Sequence, residues 1–171
     1  VPSFVCAIGV GSSAGFDPTK LPDKQGCSAC KWSARFLRDE FASKVKTGTK
    51  GPARRTALDA AKPHVCKAER LPDRLVLEGG LYTPFEVPKG SPLTSHHFAL
   101  LDTQSSARKN VTMTCEVLVE QHWERLLNTA MKLPPRERIG GHNWERELCL
   151  QASRLCGPSE VPEGDEEEEE L

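Results

Sequence analysis

The stretch Cys27-Ser28-Ala29-Cys30 decides the fold of this chain, because its two thiols can pair with Cys149 and Cys156 near the other end of the sequence. Two cysteines three residues apart on a helix lie on one face about one turn apart, and two cysteines seven apart lie on one face about two turns apart. Apolar residues at helical spacing surround both pairs. The sequence therefore predicts two amphipathic helices that can be joined twice along their packed faces.

Six of the seven cysteines form a nested series, with one pair near the start, one in the middle and one near the end. Spacing alone leaves many pairings open. We choose the pairing that agrees with helix direction if the first and last helices run antiparallel. That arrangement predicts three disulfides: Cys27 with Cys156, Cys30 with Cys149, and Cys66 with Cys115.

The Cys-x-x-Cys motif also occurs in zinc sites and redox centres. A zinc site needs a second closely spaced pair of ligands, whereas the later cysteines are seven residues apart. A redox dithiol opens a helix that follows a strand, and nothing before Gly26 has the pattern of a strand. We therefore predict structural disulfides, no metal and no cofactor, and we keep a thiol–disulfide oxidoreductase using Cys27 and Cys30 as an alternative.

Length and cysteine content bound the class of protein. A chain of 171 residues is most simply one domain with tails, long enough to bury a core without help from disulfides. Seven cysteines nevertheless exceed the usage of ordinary cytosolic proteins, and disulfides persist in oxidising compartments. We therefore predict residence in the secretory pathway.

The formal net charge of -1 conceals an asymmetry between the body and the C-terminus. Residues 160–170 carry eight of the 24 acidic side chains, so the body before them is basic. A block of like charges favours a solvated chain. We predict a disordered acidic tail over residues 159–171, and the alternatives are an internal screen over a basic surface or weak calcium buffering.

Residues 1–15 have the apolar core and small-residue end of a secretory signal whose front has been removed. Cys6 would leave with this segment, so that an even number of thiols would remain. A plain flexible N-terminus is the alternative. No other stretch approaches the roughly 18 apolar residues that cross a bilayer, so we expect no membrane insertion. The predicted domain spans residues 16–158.

Hydrophobic periodicity and turn residues predict the elements between the cysteines. Pro63 should break the second helix near Lys62. Two short β-like runs flank Glu78-Gly79-Gly80, as either a small hairpin or an extended loop, and we expect His96 and His97 on the surface. The predicted helices cover residues 27–46, 54–70, 108–132 and 143–156. His122 falls on the apolar side of the helix predicted over residues 108–132 and is interpreted as a packing histidine.

The sequence contains no Gly-rich phosphate loop, no Gly-x-Ser-x-Gly elbow and no His-Glu-x-x-His pair. We therefore predict that the chain is not an enzyme and name no catalytic residue. The basic linker 49–55 lacks interleaved aromatic residues, so we predict no nucleic-acid partner. Asn110-Val111-Thr112 is an acceptor motif for N-glycosylation, which we expect to be exposed if it is used.

The order Cys-x-x-Cys, Cys, Cys, Cys-x6-Cys on amphipathic helices resembles the disulfide framework of the saposin-like fold. Within that class the chain resembles the canopy family of endoplasmic reticulum proteins over residues 24–160. Four segments carry the resemblance: Gly26 to Cys30, Cys115 to Glu124, Glu147 to Cys156, and the acidic end Glu168-Glu169-Glu170-Leu171. The resemblance implies a mainly α, saposin-like disulfide-stapled domain with a loop or small β-hairpin inserted between Cys66 and Cys115.

Canopy-like proteins act as luminal co-chaperones, so the resemblance implies binding of client proteins, including cell-surface receptors, together with luminal chaperones. The 48 residues between Cys66 and Cys115 exceed the short connection of compact saposins, which favours canopy over a lipid-binding saposin. The terminal Glu-Glu-Glu-Leu is a weak variant of the Lys-Asp-Glu-Leu retrieval signal. We therefore expect the endoplasmic reticulum lumen, with secretion as the alternative, and a saposin-like lipid or membrane binder as the alternative function.

Overall fold

The computed structural model of this protein describes residues 15–22 and 24–163. The predicted signal remnant lies outside the described residues except for Gly15, and so does Cys6. Of the predicted acidic tail, residues 164–171 lie outside them as well.

The described chain is mainly helical, with one short two-stranded sheet. The longer helices are α1 (Gln25–Lys44), α2 (Gly51–Ala61), α3 (Ser95–Asp102) and α4 (Gln104–Lys132), and a π-helix (Arg146–Ala152) closes the domain. Strands β1 (Leu75–Glu78) and β2 (Leu81–Pro84) pair antiparallel about Gly79-Gly80. The prediction of a helical domain stapled by disulfides, with a hairpin inserted between Cys66 and Cys115, is confirmed at this level.

The core lies where α1, α4 and the π-helix meet. Phe41 of α1 is fully buried, and its ring centroid lies 5.9 Å from that of Trp123 and 5.1 Å from that of Trp144. The Trp144 indole nitrogen donates a hydrogen bond to the Ile139 carbonyl at 2.8 Å, which satisfies its only polar atom. Three aromatic rings from three parts of the chain therefore fill the centre of the domain.

Three disulfides link these elements: Cys27–Cys156, Cys30–Cys149 and Cys66–Cys115, with Cα atoms 4.7, 5.7 and 5.6 Å apart. They are the pairs that the antiparallel arrangement selected. The first two join α1 to the end of the chain, and the third joins α4 to the segment after α2. Three disulfides indicate an oxidising compartment of the secretory pathway.

The predicted closing helix over residues 143–156 is wrong at its end. The Ser153 amide and hydroxyl both donate to the Leu148 carbonyl, at 2.9 and 2.8 Å, which gives the wide turn of a π-helix. Arg154 then adopts a left-handed conformation with φ 57°, which ends the helix. Cys156 therefore does not share a helix face with Cys149. The chain folds back instead, and the Cys156 amide donates to the Cys149 carbonyl at 3.0 Å.

The predicted helix over 54–70 is also shorter than expected. Helix α2 begins at Gly51 and ends at Ala61, and Pro63 lies in a 3₁₀ turn, Lys62–His64. Proline has no amide hydrogen for the helical ladder, so the predicted break occurs where expected. Cys66 lies beyond the break, before a second 3₁₀ turn, Ala68–Arg70.

A buried ion pair fixes that second turn to the core. Glu40 of α1 is 3% exposed, and its carboxylate pairs with the Arg70 guanidinium. Arg70 also donates from Nε to the His64 carbonyl at 3.1 Å. The carboxylate in the core thus has a charged partner that is itself held by the backbone.

Helix α3 was not predicted. Thr94 caps it, because the Thr94 hydroxyl accepts from the His97 amide at 3.4 Å and the His97 ring nitrogen Nδ1 accepts from the Thr94 amide at 3.1 Å. This is a capping box in which histidine replaces the usual Glu or Gln. His96 is exposed as predicted, whereas His97 is partly buried by its capping role.

The packed body continues beyond the predicted boundary at residue 158. Pro158–Glu160 form a 3₁₀ turn, and Val161 is 1% exposed. The Asn143 side-chain amide donates to the Pro162 carbonyl at 3.1 Å. The packed chain therefore extends at least three residues into the predicted tail of residues 159–171, because Val161 is a buried apolar residue that follows the helix-ending proline. Among the described residues no helix is long and apolar enough to cross a membrane.

Candidate protein-binding surface

The first candidate site from the sequence, Cys27 and Cys30, is part of the scaffold in this structure. The two cysteines are 5% and 0% exposed, and each is bonded to a distant cysteine. Thiol–disulfide exchange needs an accessible sulfur and an attacking thiolate. Cys27 and Cys30 provide neither an accessible sulfur nor a free thiolate, so this position does not support the oxidoreductase alternative. In residues 15–22 and 24–163 no three His, Cys, Asp or Glu side chains lie close enough to hold a metal ion.

Tyr82 of β2 anchors the hairpin to the helices. Its amide donates to the Ser28 hydroxyl at 2.9 Å, and its carbonyl accepts from the Trp32 indole nitrogen at 2.8 Å. Its hydroxyl donates to the Gln25 side chain at 3.0 Å and accepts from Asn110 at 3.2 Å. Burial raises the pKa of Tyr82, and the Asn110 hydrogen bond opposes that rise. The phenol therefore stays neutral, and its hydroxyl can donate to Gln25 of α1 and accept from Asn110 of α4.

A groove of about 460 Å³ lies between α1 and β2 as a result of this anchoring. Its apolar wall includes Trp32, Leu81 and Pro84, and Leu81 is 46% exposed although it is a large aliphatic residue. We call this the Trp32 groove. It presents an indole and an aliphatic side chain side by side at the surface.

Basic side chains border the Trp32 groove. Lys24, Lys31 and Arg35 line it, against one acidic residue, Glu160. The Arg35 guanidinium lies 5.2 Å from the centroid of the Trp32 ring, within the range of a cation–π contact. Glu160 accepts from the Gly157 amide at 2.6 Å, so its carboxylate is already engaged. The groove therefore favours a ligand that carries both apolar and negatively charged groups.

The other side of the hairpin also exposes apolar residues. Helix α3 packs on β1, and the His96 Nε2 atom lies 3.6 Å from a carboxylate oxygen of Glu78. Phe98 of α3 is 55% exposed and Leu93, just before its cap, is 46% exposed. None of the residues in α3 is buried. Both sides of the hairpin thus leave apolar side chains in water, which a monomer does not need for its core.

Asn110 lies within α4 and is half-buried rather than exposed as we expected. Its side-chain nitrogen, the atom that would carry a glycan, donates to the Tyr82 hydroxyl. A glycan at this position would emerge beside the hairpin anchor. Glycosylation of Asn110 stays a prediction.

His122 lies on α4 beside a small cavity that Leu118 and Leu155 also line. Burial, together with the nearby charge of Arg125, lowers its pKa. A neutral ring at the edge of the apolar core fits the role of packing histidine.

Sequence analysis did not identify the Trp32 groove, because the hairpin and α1 meet through contacts between residues 50 and 54 positions apart in the chain.

No protein-family model, curated protein or solved structure matches this chain. The resemblance to the canopy family therefore depends on the quoted sequence motifs alone and stays a prediction. The same is true of the saposin-like fold. The function is argued below from the surface and from the disulfide framework.

Proposed function

We propose that this protein is a luminal co-chaperone or adaptor that binds client polypeptides by protein–protein contact. The client class includes cell-surface receptors and secreted proteins, and the compartment is the endoplasmic reticulum lumen. One observation carries the proposal: the Trp32 groove places half-buried Trp32 beside exposed Leu81, between basic side chains, on a disulfide-linked body. The resemblance to the canopy family supports the same role.

The chemistry of the groove suggests the kind of segment that it binds. An extended client segment can place aliphatic side chains against Leu81 and Trp32, and carboxylates against Lys24 and Lys31, whereas Arg35 is already paired with Glu145 at 3.5 Å. Opposite charges around an apolar contact increase the association rate and fix the orientation of the ligand. Unfolded segments with mixed apolar and acidic side chains are therefore the expected ligands.

The disulfides explain how such a surface can be exposed without loss of the fold. Each one links residues far apart in sequence and so restricts the unfolded chain. The protein does not need the apolar area of the hairpin sides to be buried for stability. That area remains free for a ligand.

A peptide titration tests this proposal. The probe is a fluorescently labelled peptide of alternating Leu and Glu, and fluorescence anisotropy reports its affinity. We expect Leu81→Ser and Lys31→Glu each to weaken binding by about fivefold or more. Arg55→Glu is the matched control, because Arg55 is an exposed base on α2 outside the groove. Equal binding by Leu81→Ser and the unaltered protein would contradict the proposal.

The same experiment separates the lipid-binding alternative. A lipid binder would float with vesicles and would not distinguish the acidic peptide from a second probe of alternating Leu and Lys. The proposed adaptor should bind the acidic peptide and leave neutral phosphatidylcholine vesicles unbound in a flotation assay.

Glycosylation tests luminal residence by an independent route. Attachment of a glycan at Asn110 requires passage through the lumen, and a glycosidase should then increase the gel mobility of the protein. Thr112→Ala removes the acceptor motif and leaves the Asn110 hydrogen bond to Tyr82 in place. A mobility shift that persists in Thr112→Ala would show that the glycan is elsewhere.

A further inference from the structure

A second cavity, of about 580 Å³, lies between the ends of α1 and α2 and the 3₁₀ turn Ile139–Gly141. Its lining contains three basic residues, Lys46, Arg54 and Arg138, against one acidic residue, Glu137. The cavity is separate from the Trp32 groove, and the two share no lining residue. We call it the Arg54 cavity.

Arg54 is the unusual member of this lining. It is 2% exposed, and within residues 15–22 and 24–163 it makes no ion pair with any carboxylate. Its Nη1 donates to the Leu133 carbonyl at 2.7 Å, whereas the buried Nε has no partner there. A guanidinium remains charged at any physiological pH, and a buried charge without a counter-charge is costly. A carboxylate bound in this cavity would offset the charge of the Arg54 guanidinium and give its Nε an acceptor.

The start of α2 adds to the positive potential. Lys50 caps the helix without a side-chain hydrogen bond, and the first turn contains no acidic residue. The first amides of a helix are unpaired and carry partial positive charge, so bases there are unfavourable unless an anion is close. Helix α2 nevertheless places Arg54 in its second turn, beside the cavity that Thr49 also lines. The buried Arg54 guanidinium and the N-terminus of α2 therefore both favour a negatively charged ligand.

We propose that the Arg54 cavity is a carboxylate-binding site and that its occupant is the acidic tail of this chain, Glu166–Glu170. The described chain ends close by, because the Pro162 carbonyl accepts from Asn143, two residues beyond the cavity residue Gly141. The eight residues from 164 to 171 can span up to about 26–29 Å. Their glutamates supply the negative charge that the lining lacks. The inference is independent of the proposed function.

A competition experiment with the full-length chain tests this site. The probe is a labelled pentaglutamate peptide, and the comparison is with a neutral-tail variant that carries Glu166–Glu170→Gln. The natural tail is tethered at high effective concentration, so it should exclude the free peptide. We expect the neutral-tail variant to bind the probe about tenfold more tightly than the natural chain.

Substitutions in the neutral-tail variant test the residues. Arg54→Gln should weaken probe binding by about fivefold or more, whereas Arg55→Gln should change it by less than about twofold. Arg55 is the matched control, because it is adjacent in sequence, exposed and paired with Asp59. If circular dichroism shows that Arg54→Gln is unfolded, the double variant Lys46→Gln with Arg138→Gln replaces it, since both residues are exposed.

Three results would overturn the proposal. Equal affinity of the natural and neutral-tail chains, with dependence on Arg54, would mean that an acidic segment of another protein is the ligand. Equal effects of Arg54→Gln and Arg55→Gln would mean that the peptide binds by general charge attraction. Absence of probe binding in the neutral-tail variant would mean that there is no carboxylate site.

Discussion

The helices joined by disulfides and the hairpin with α3 differ in how many large apolar side chains they leave exposed, although the hairpin buries Leu75 and Val76. Helices α1 and α4 bury Leu37, Phe41 and Leu126 completely, whereas the hairpin region leaves Leu81 and Phe98 about half exposed. Disulfides join the parts of the first region, whereas the hairpin is attached without a disulfide, by packing of β1 on α4 and by the Tyr82 hydrogen bond to Ser28. Under the proposed function, the first region supplies stability and the second supplies the binding surface.

The largest change in the free energy of unfolding is expected when a disulfide is removed from the first region. Replacing both Cys66 and Cys115 with Ala should lower the free energy of unfolding by on the order of 3–5 kcal/mol, because this bond closes a loop of the unfolded chain across a sequence separation of 49. Urea denaturation followed by circular dichroism measures the change. The matched variant without Cys30 and Cys149 should lose slightly less, because Cys27–Cys156 still joins the same two ends and the lost bond closes only a short additional loop. A loss below about 1 kcal/mol in both would contradict the scaffold role.

The next effect concerns the ion pair between Arg70 and Glu40. Arg70→Ala leaves the Glu40 carboxylate buried without a partner and should cost about 2–4 kcal/mol. Glu40→Gln should cost less, because Arg70 is partly exposed and water can hydrate it. Chemical denaturation of the two single variants and the double variant measures the coupling. If Glu40→Gln proves the more harmful change, the assigned burial of the carboxylate is wrong.

A smaller effect is expected from pH. Burial lowers the pKa of His142 below its ordinary value of 6.5, although Glu147 and Glu137 act in the opposite direction. Burial and Arg125 lower the pKa of His122. The unfolded chain therefore binds protons before the folded protein does, so stability is complete above pH 6.5 and decreases as the pH falls through the folded values.

Thermal unfolding at about pH 7.5 and about pH 5.5 tests whether stability decreases as the pH falls. The midpoint temperature should be lower at the acidic pH, and the difference should shrink when His122→Gln and His142→Asn are combined. Burial raises the pKa of Glu116, and this carboxyl acts in the opposite sense at lower pH. A midpoint that rises toward pH 5.5 would mean that the two rings gain charge partners on folding.

The smallest effect should come from the exposed apolar residues. Phe98→Ala should change the free energy of unfolding by no more than about 0.5 kcal/mol, because the ring is 55% exposed. The matched core change Phe41→Ala removes a fully buried ring and should cost about 3–5 kcal/mol. Urea denaturation compares the two. Similar costs would remove the distinction between core and recognition surface.

Sequence reasoning was most successful where a pattern has one dominant cause. Cysteine spacing on an amphipathic face led to α1 and the nested pairing, the glycine pair led to the hairpin, and Pro63 marked the break after α2. The helix, hairpin and break signals each depend on residues close together in the chain, whereas the nested pairing also required the assumption that the first and last helices run antiparallel. Such local causes can be found in a single sequence.

The features that escaped prediction depend on contacts that a sequence does not display. The capping box of α3 uses His97 in place of an acid, and the π-helix ends through the Ser153 hydrogen bonds and the left-handed Arg154. Burial of Arg54 contradicts the general rule that arginine is exposed. Tyr82 joins elements from three parts of the chain. Both candidate sites were therefore visible only in three dimensions.

The most direct test of the account is the connectivity of the first and last cysteine pairs. No lysine or arginine separates Cys27 from Cys30, so trypsin alone cannot distinguish their partners, and partial reduction with stepwise alkylation before mass spectrometry is required. The account predicts Cys27 linked to Cys156 and Cys30 linked to Cys149. A bond between Cys27 and Cys30, or a free thiol at either position, would contradict it.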